Sequence, residues 1–207
     1  MHALRQLVRT PAGAAVLAAA AAGLTACGST PMSASTGPAS GTGAAAQGTV
    51  ARCRTADVKV TLDAAAAGAA AGSSYVPLEF TNASGHPCVV PGHPAVAFAT
   101  APGGAQIGTE AVAEQDPQAA GITLAPGITL APGAVAHAWL QIADVASYPA
   151  SRCKPVHAGG LRVALAPAQA AEFLPHAFQA CASSMPGSTV LAVFPLQAGH
   201  AERGTAP

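Results

Sequence analysis

Three observations predict an all-β fold, an antiparallel β-sandwich. Short segments of period-two alternation recur at fairly regular spacing. Turns rich in Gly and Pro separate them. The one helix-permissive tract of the domain, Ala64 to Gly72, holds two glycines and no cap, and is expected to be a loose loop.

The first strand has Val58, Val60 and Leu62 pointing one way and Lys59 and Thr61 the other. In the second, Val76, Leu78 and Phe80 face inward while Pro77, Glu79 and Thr81 face outward. Pro77 cannot donate to a ladder, so this strand is expected at an edge or bulged there. Asn82-Ala83-Ser84-Gly85 is a turn by composition, and Ala95 to Thr100 is an apolar strand closed by Pro102-Gly103-Gly104. Residues 109–121, with Glu110, Glu114 and Asp116, are expected as an exposed loop. Gly121 to Gly133 repeats Gly-Ile-Thr-Leu-Ala-Pro once. The insert is even in length and so preserves strand parity, which leaves Leu130-Ala131-Pro132-Gly133 as the working turn. Ala134 to Ile142 is the next strand, with Leu140 and Ile142 in the core and Trp139 on the opposite parity, half exposed. Leu161, Val163 and Leu165 alternate around Arg162, Phe173-Leu174 is a short strand at best, and Thr189 to Leu196 closes the domain. Cys153 and Cys181 are expected in loops, and 198–207 should fray.

Composition limits what such a core can bury. Hydrophobic residues make up 51% of the 207, yet aromatics only 4%, so the interior is built from small side chains and other restraints gain value. Lys+Arg and Asp+Glu number nine each. Removing Arg5 and Arg9 with a leader leaves seven basic residues against nine acidic, a net charge of −2. No basic patch exists to hold phosphates, which argues against a nucleic-acid partner.

The leader is 1–26. Arg5 and Arg9 form its basic start, and Ala12 through Leu24 is apolar but alanine-dominated, too short and weak for a permanent span. Leu24-Thr25-Ala26-Cys27 then has the form of a lipobox. An ordinary signal peptidase cutting before Cys27 would meet Leu24 at −3, where it needs a small residue. The competing reading is a small-x-small cut within Ala18 to Ala22. Cys27 is the expected lipidation site, because a thiolate can accept a diacylglyceryl group and two or more acyl chains hold a protein durably on a bilayer. This makes the membrane a partner and gives an extracytoplasmic address, on the cell membrane or an outer membrane. Residues 27–50 carry the anchor and a tether of Gly, Ser, Thr, Ala and Pro, expected to be disordered and to span on the order of 25 Å. Four other cysteines, Cys53, Cys88, Cys153 and Cys181, remain for the domain at 51–197, an even set suited to an oxidising compartment.

The ordered set of Cys53, Phe80-Thr81-Asn82-Ala83-Ser84-Gly85, Cys88, Gly92-His93-Pro94-Ala95-Val96, Leu130-Ala131-Pro132-Gly133, Cys153 and Cys181 resembles one family. It is that of secreted and lipid-anchored bacterial proteins carrying domain of unknown function 4232, and the resemblance covers roughly residues 53 to 195. It implies an immunoglobulin-like β-sandwich and brings no catalytic residues with it. The chain departs from the family's pattern at His93, where an aromatic is frequent, and in the doubled Ile-Thr-Leu-Ala-Pro. Four cysteines permit three pairings; the expectation is Cys53–Cys88 and Cys153–Cys181, each stapling a strand-loop-strand unit.

Three functions are weighed. A binding or scaffolding module for an unknown protein or cell-wall ligand is favoured, with Trp139, Tyr75 and Tyr148 as the aromatics able to anchor a partner. The first alternative is a zinc or copper site formed by His86, Cys88 and His93, which are close in sequence but flanked by prolines. The second is a secreted hydrolase, for which the chain offers no G-x-S-x-G, H-E-x-x-H, P-loop or C-x-x-C motif. The expectation is therefore no enzyme, no catalytic residues and no cofactor.

Overall fold

A computed structural model describes residues 49–115, 126–166, 169–204 and 206–207. The expected leader, Cys27, the expected tether up to Gly48 and the first copy of the duplicated hexapeptide up to Ala125 lie outside those residues. In chain order the strands are β1 (Val58–Leu62), β2 (Gly68–Ala70), β3 (Ser73–Asn82), β4 (Cys88–Val90), β5 (Ala95–Ala99), β6 (Gln106–Ile107), β7 (Val112–Ala113), β8 (Ile128–Leu130), β9 (Val135–Ala143), β10 (Pro155–Ala164), β11 (Glu172–Cys181), β12 (Leu191–Val193) and β13 (Gln197–Ala198). A single helical turn, α1 (Ala150–Cys153), precedes β10.

The larger sheet runs β1-β3-β9-β12-β7, with β2 added to β3 and β13 to β9. The second sheet has four strands in the order β11-β10-β5-β6, and β4 pairs with β8 in a separate ribbon. Alternation brings Val76, Leu78, Phe80 and Leu140 of the larger sheet into one core with Val96, Phe98, Leu161 and Val163 of the second. Two sheets sharing one apolar layer make a β-sandwich, as the patterning predicts.

Several local expectations are corrected. Ala64 to Gly72 is not simply a loop, since β2 forms a hairpin with β3 in which Ala70 faces Ser73. The connecting Ala71 and Gly72 have φ of 48° and 77°. Two positive φ values in a two-residue loop match the twist of the strands they join, and Gly72 accepts that conformation without strain.

Pro77 lies in an interior strand, because β3 is paired on both sides. Its carbonyl accepts from the Asp63 N–H at 3.0 Å, so its own nitrogen faces the same flank, where β1 has just ended at Leu62. The missing donor therefore falls at the end of a ladder.

Trp139 is on the parity expected but is 1% exposed, not half. Its ring meets that of His137 edge-on, centroids 6.3 Å apart, and the segment expected to fray is tied down beside His137. β13 pairs with β9, the Gly199 carbonyl accepts from His137 Nδ1 at 2.9 Å, and His200 Nδ1 meets Glu79 Oε1 at 2.9 Å. Arg203 Nε then donates to the Ala65 carbonyl at 2.6 Å. The tail thus crosses the outer side of the larger sheet from β9 over β3 to the turn after β1.

β11 is a strand of ten residues, not a short one, and Cys181 ends it. Pairing only with β10, it can hold Pro175 opposite the bulge at Gly160. Cys153 lies in α1 rather than in a loop. One pairing departs from the antiparallel rule: β7, inside the expected loop, runs parallel to β12.

Candidate functional site

The outer face of the four-stranded sheet carries a cleft, and strand register builds it. Val96 and Phe98 of β5 point into the core, so Ala95 and Ala97 point out. Arg162 of β10 stands between Ala97 of β5 and Phe173 of β11, one cross-strand row. Ala164 stands beside Ala95 in the next row. In the row on the other side, Gly160 faces Ala99 and Pro175. A Cβ on Gly160 would lie 2.2 Å from the Leu174 carbonyl oxygen and 2.6 Å from Cζ of Phe173. The bare glycine backbone therefore gives the Phe173 ring its seat, and the ring becomes a wall beside Arg162.

The other borders are tied down as well. The Ala111 N–H donates to the Val96 carbonyl at 2.7 Å, which holds the segment carrying Glu110 against β5. Gln169 is fixed from the opposite direction: its Oε1 accepts from both the N–H and the hydroxyl of Thr55 at 3.0 Å, and its Nε2 donates to the Cys53 carbonyl at 3.2 Å. The cleft encloses about 340 Å³ and is lined by Arg162, Glu110, Gln169, Phe173 and small residues including Ala95 and Ala171. Arg162 Nη2 makes one long bond, 3.4 Å to Gln106 Oε1. Among the described residues no carboxylate stands within ion-pair distance of Arg162. Its guanidinium has five donors, and the bond to Gln106 is the one hydrogen bond it makes among the described residues.

The residues singled out from sequence fall elsewhere. Cys27 lies outside the described residues. Cys53 is bonded to Cys88 and Cys153 to Cys181, all four buried. The first bridge joins the N-terminal end of the domain to β4, where Cys53 N–H also donates to the Val89 carbonyl at 2.9 Å. The second joins α1 to the end of β11 over a small cluster with Met185.

The metal reading loses its donors. The Cys88 sulfur is spent in a disulfide, and His93 donates from Nε2 to the Glu114 carbonyl at 2.7 Å. His86 is exposed in the turn after Asn82. Among the described residues no three His, Cys, Asp or Glu side chains group to hold a metal ion. The aromatics considered as partner anchors differ in exposure. Trp139 is buried, Tyr75 is half-buried with its ring 6.4 Å from that of Phe194, and Tyr148 donates to the Thr189 carbonyl at 3.0 Å.

The residues of the recurring sequence set are structural. Buried Asn82 donates from Nδ2 to the carbonyls of His86 and Leu130, both at 2.9 Å, while its Oδ1 accepts from the Ser84 N–H and hydroxyl. Its backbone pairs with Gly133 and Ala134. One side chain thereby locks the Asn82–Gly85 turn to the Leu130–Gly133 turn, with every polar atom satisfied.

Arg162 and Glu110 were not among the residues that sequence picked out as a site. Arg162 appears there only as the polar member of an alternation, and the signal that it stands alone over an alanine floor lies in the register. No curated protein and no solved structure matches this chain. The family model for Domain of unknown function (DUF4232) matches residues 53–197.

Proposed function

The chain belongs to the family of Domain of unknown function (DUF4232), and from that premise we propose a lipid-anchored, extracytoplasmic binding module that takes its ligand on the outer face of the four-stranded sheet. Diacylglyceryl-Cys27 would hold it on a membrane, and the Gly/Ser/Pro-rich segment that follows would lift the domain clear of the headgroups. Two buried disulfides suit an oxidising compartment and support that address.

The observation that carries the binding role is the open cleft. The chain spends its own tail on the outer face of one sheet and leaves on the other a cleft whose guanidinium has one long hydrogen bond. Among the described residues the lining has one acid, one base, one amide, Phe173 and small apolar groups, with no Ser, Cys or His, a composition suited to binding.

Detergent partitioning of the full-length protein tests the address. The wild type is expected in the detergent phase and Cys27→Ala in the aqueous phase. Equal partitioning of the two would overturn the anchor.

A further inference from the structure

We propose that the cleft on the four-stranded sheet binds a small zwitterion of the amino-acid and short-peptide class, its carboxylate held by Arg162 and its ammonium by Glu110. This rests on the binding-module reading above and adds the ligand's chemistry to it.

Charge is the first argument. Arg162 and Glu110 line the same 340 Å³ cleft, yet they form no ion pair with each other among the described residues. Two opposite charges kept apart across a cavity match a molecule that carries both signs with a short spacer between them. A guanidinium is the side chain best shaped to take a planar carboxylate through two parallel N–H bonds.

The surface between the charges is the second argument. Ala95, Ala171 and Phe173 expose apolar surface to the cleft, while Ala97 and Ala164 beside them are buried. A strongly hydrated inorganic anion gains nothing from such a floor, whereas the Cα and side chain of a small amino acid do. The volume lies near the lower end of ligand pockets, which sets the size at one or two residues.

Preorganisation is the third. Phe173 is seated on Gly160, the Glu110 segment is pinned to β5 through Ala111, and Gln169 is pinned to the Cys53 end of the chain. The walls need not be ordered when a ligand arrives, and little affinity is lost to that cost.

The test is isothermal titration of the full-length protein in detergent micelles with alanyl-alanine, alanyl-alanine amide, N-acetyl-alanyl-alanine and free alanine. Alanyl-alanine or alanine is expected to bind, and whichever of the two binds more tightly identifies a peptide terminus or a free amino acid as the source. The amide, and Arg162→Gln with the parent ligand, should each weaken binding about 10- to 100-fold, the loss of a charge-assisted bidentate contact. The acetylated peptide, and Glu110→Gln with the parent ligand, should weaken it by roughly a few-fold to tenfold, as befits a solvent-exposed charge pair. No binding of any probe at 10 mM (about the weakest affinity of interest), or binding indifferent to Arg162→Gln, would overturn the assignment. Binding indifferent to both acetylation and Glu110→Gln would overturn the zwitterion. None of these results bears on the membrane anchor, which stands or falls with the Cys27→Ala partitioning.

Discussion

On the larger sheet, the outward-facing His137 and Trp139 of β9 are 5% and 1% exposed, and the tail is bonded to the first of them through the Gly199 carbonyl. On the four-stranded sheet, the outward-facing Arg162 of β10 stands in solvent above alanines. Both faces come from strands with the same alternating pattern, so parity alone does not decide which outward residue is covered. What differs is the size of the side chains. Trp139 stands opposite Pro77 and both are buried; left open they would expose a contiguous apolar patch. The second sheet carries alanines beside Arg162 and Phe173 on its outer side, and the contacts of Gly199, His200 and Arg203 are all made away from it. A sandwich poor in aromatics thus acquires a second, smaller buried layer on one flank and keeps the other free for contact.

The largest expected effect tests the covered flank. Trp139→Ala should cost about 3–5 kcal/mol, the value for a large buried aromatic, measured by denaturant unfolding. A loss near zero would mean that the tail does not complete a packed layer. An intermediate effect belongs to the open flank. Gly160→Ala puts a Cβ against the Leu174 carbonyl and the Phe173 ring, and should cost about 1–3 kcal/mol in the same assay, the usual range for overpacking. The smallest effect sharpens the contrast most. Arg162→Gln should change stability by no more than about 0.5 kcal/mol, as for a surface residue outside any network. A large loss there would show that Arg162 supports the fold, and the two flanks would then differ in degree only.

How far sequence reached depends on which residues carried the signal. Strands β1, β3, β9 and β10 were legible because Val, Leu, Ile and Phe alternate with polar residues, and alternation is a burial record. β2 was not, since Gly68–Ala70 has no side chain to alternate and exists as a strand only through its ladder to β3. The tail was misjudged for a related reason. Its attachment rests on backbone pairing and three polar contacts from His137, His200 and Arg203, none of which leaves a periodic trace. Trp139 was placed on its proper face, but parity alone does not report that the face is buried there. Of the cleft, Arg162 was visible only as an outward residue. Alanine is so frequent here that a floor of Ala95, Ala97 and Ala164 cannot be told from background, and Glu110 reaches it through a loop.

The way the closing strands dock has a bearing on how the protein is born. β12 and β13 do not extend the margin of a finished structure; they lie alongside β9, and Gly199 and His200 reach back to His137 and Glu79. A chain that appears from its amino end must therefore carry β9 with one flank bare until Leu191 and the residues after it arrive. Ribosomal stalling before Leu191 would strand an unclosed intermediate rather than yield a slightly shorter protein.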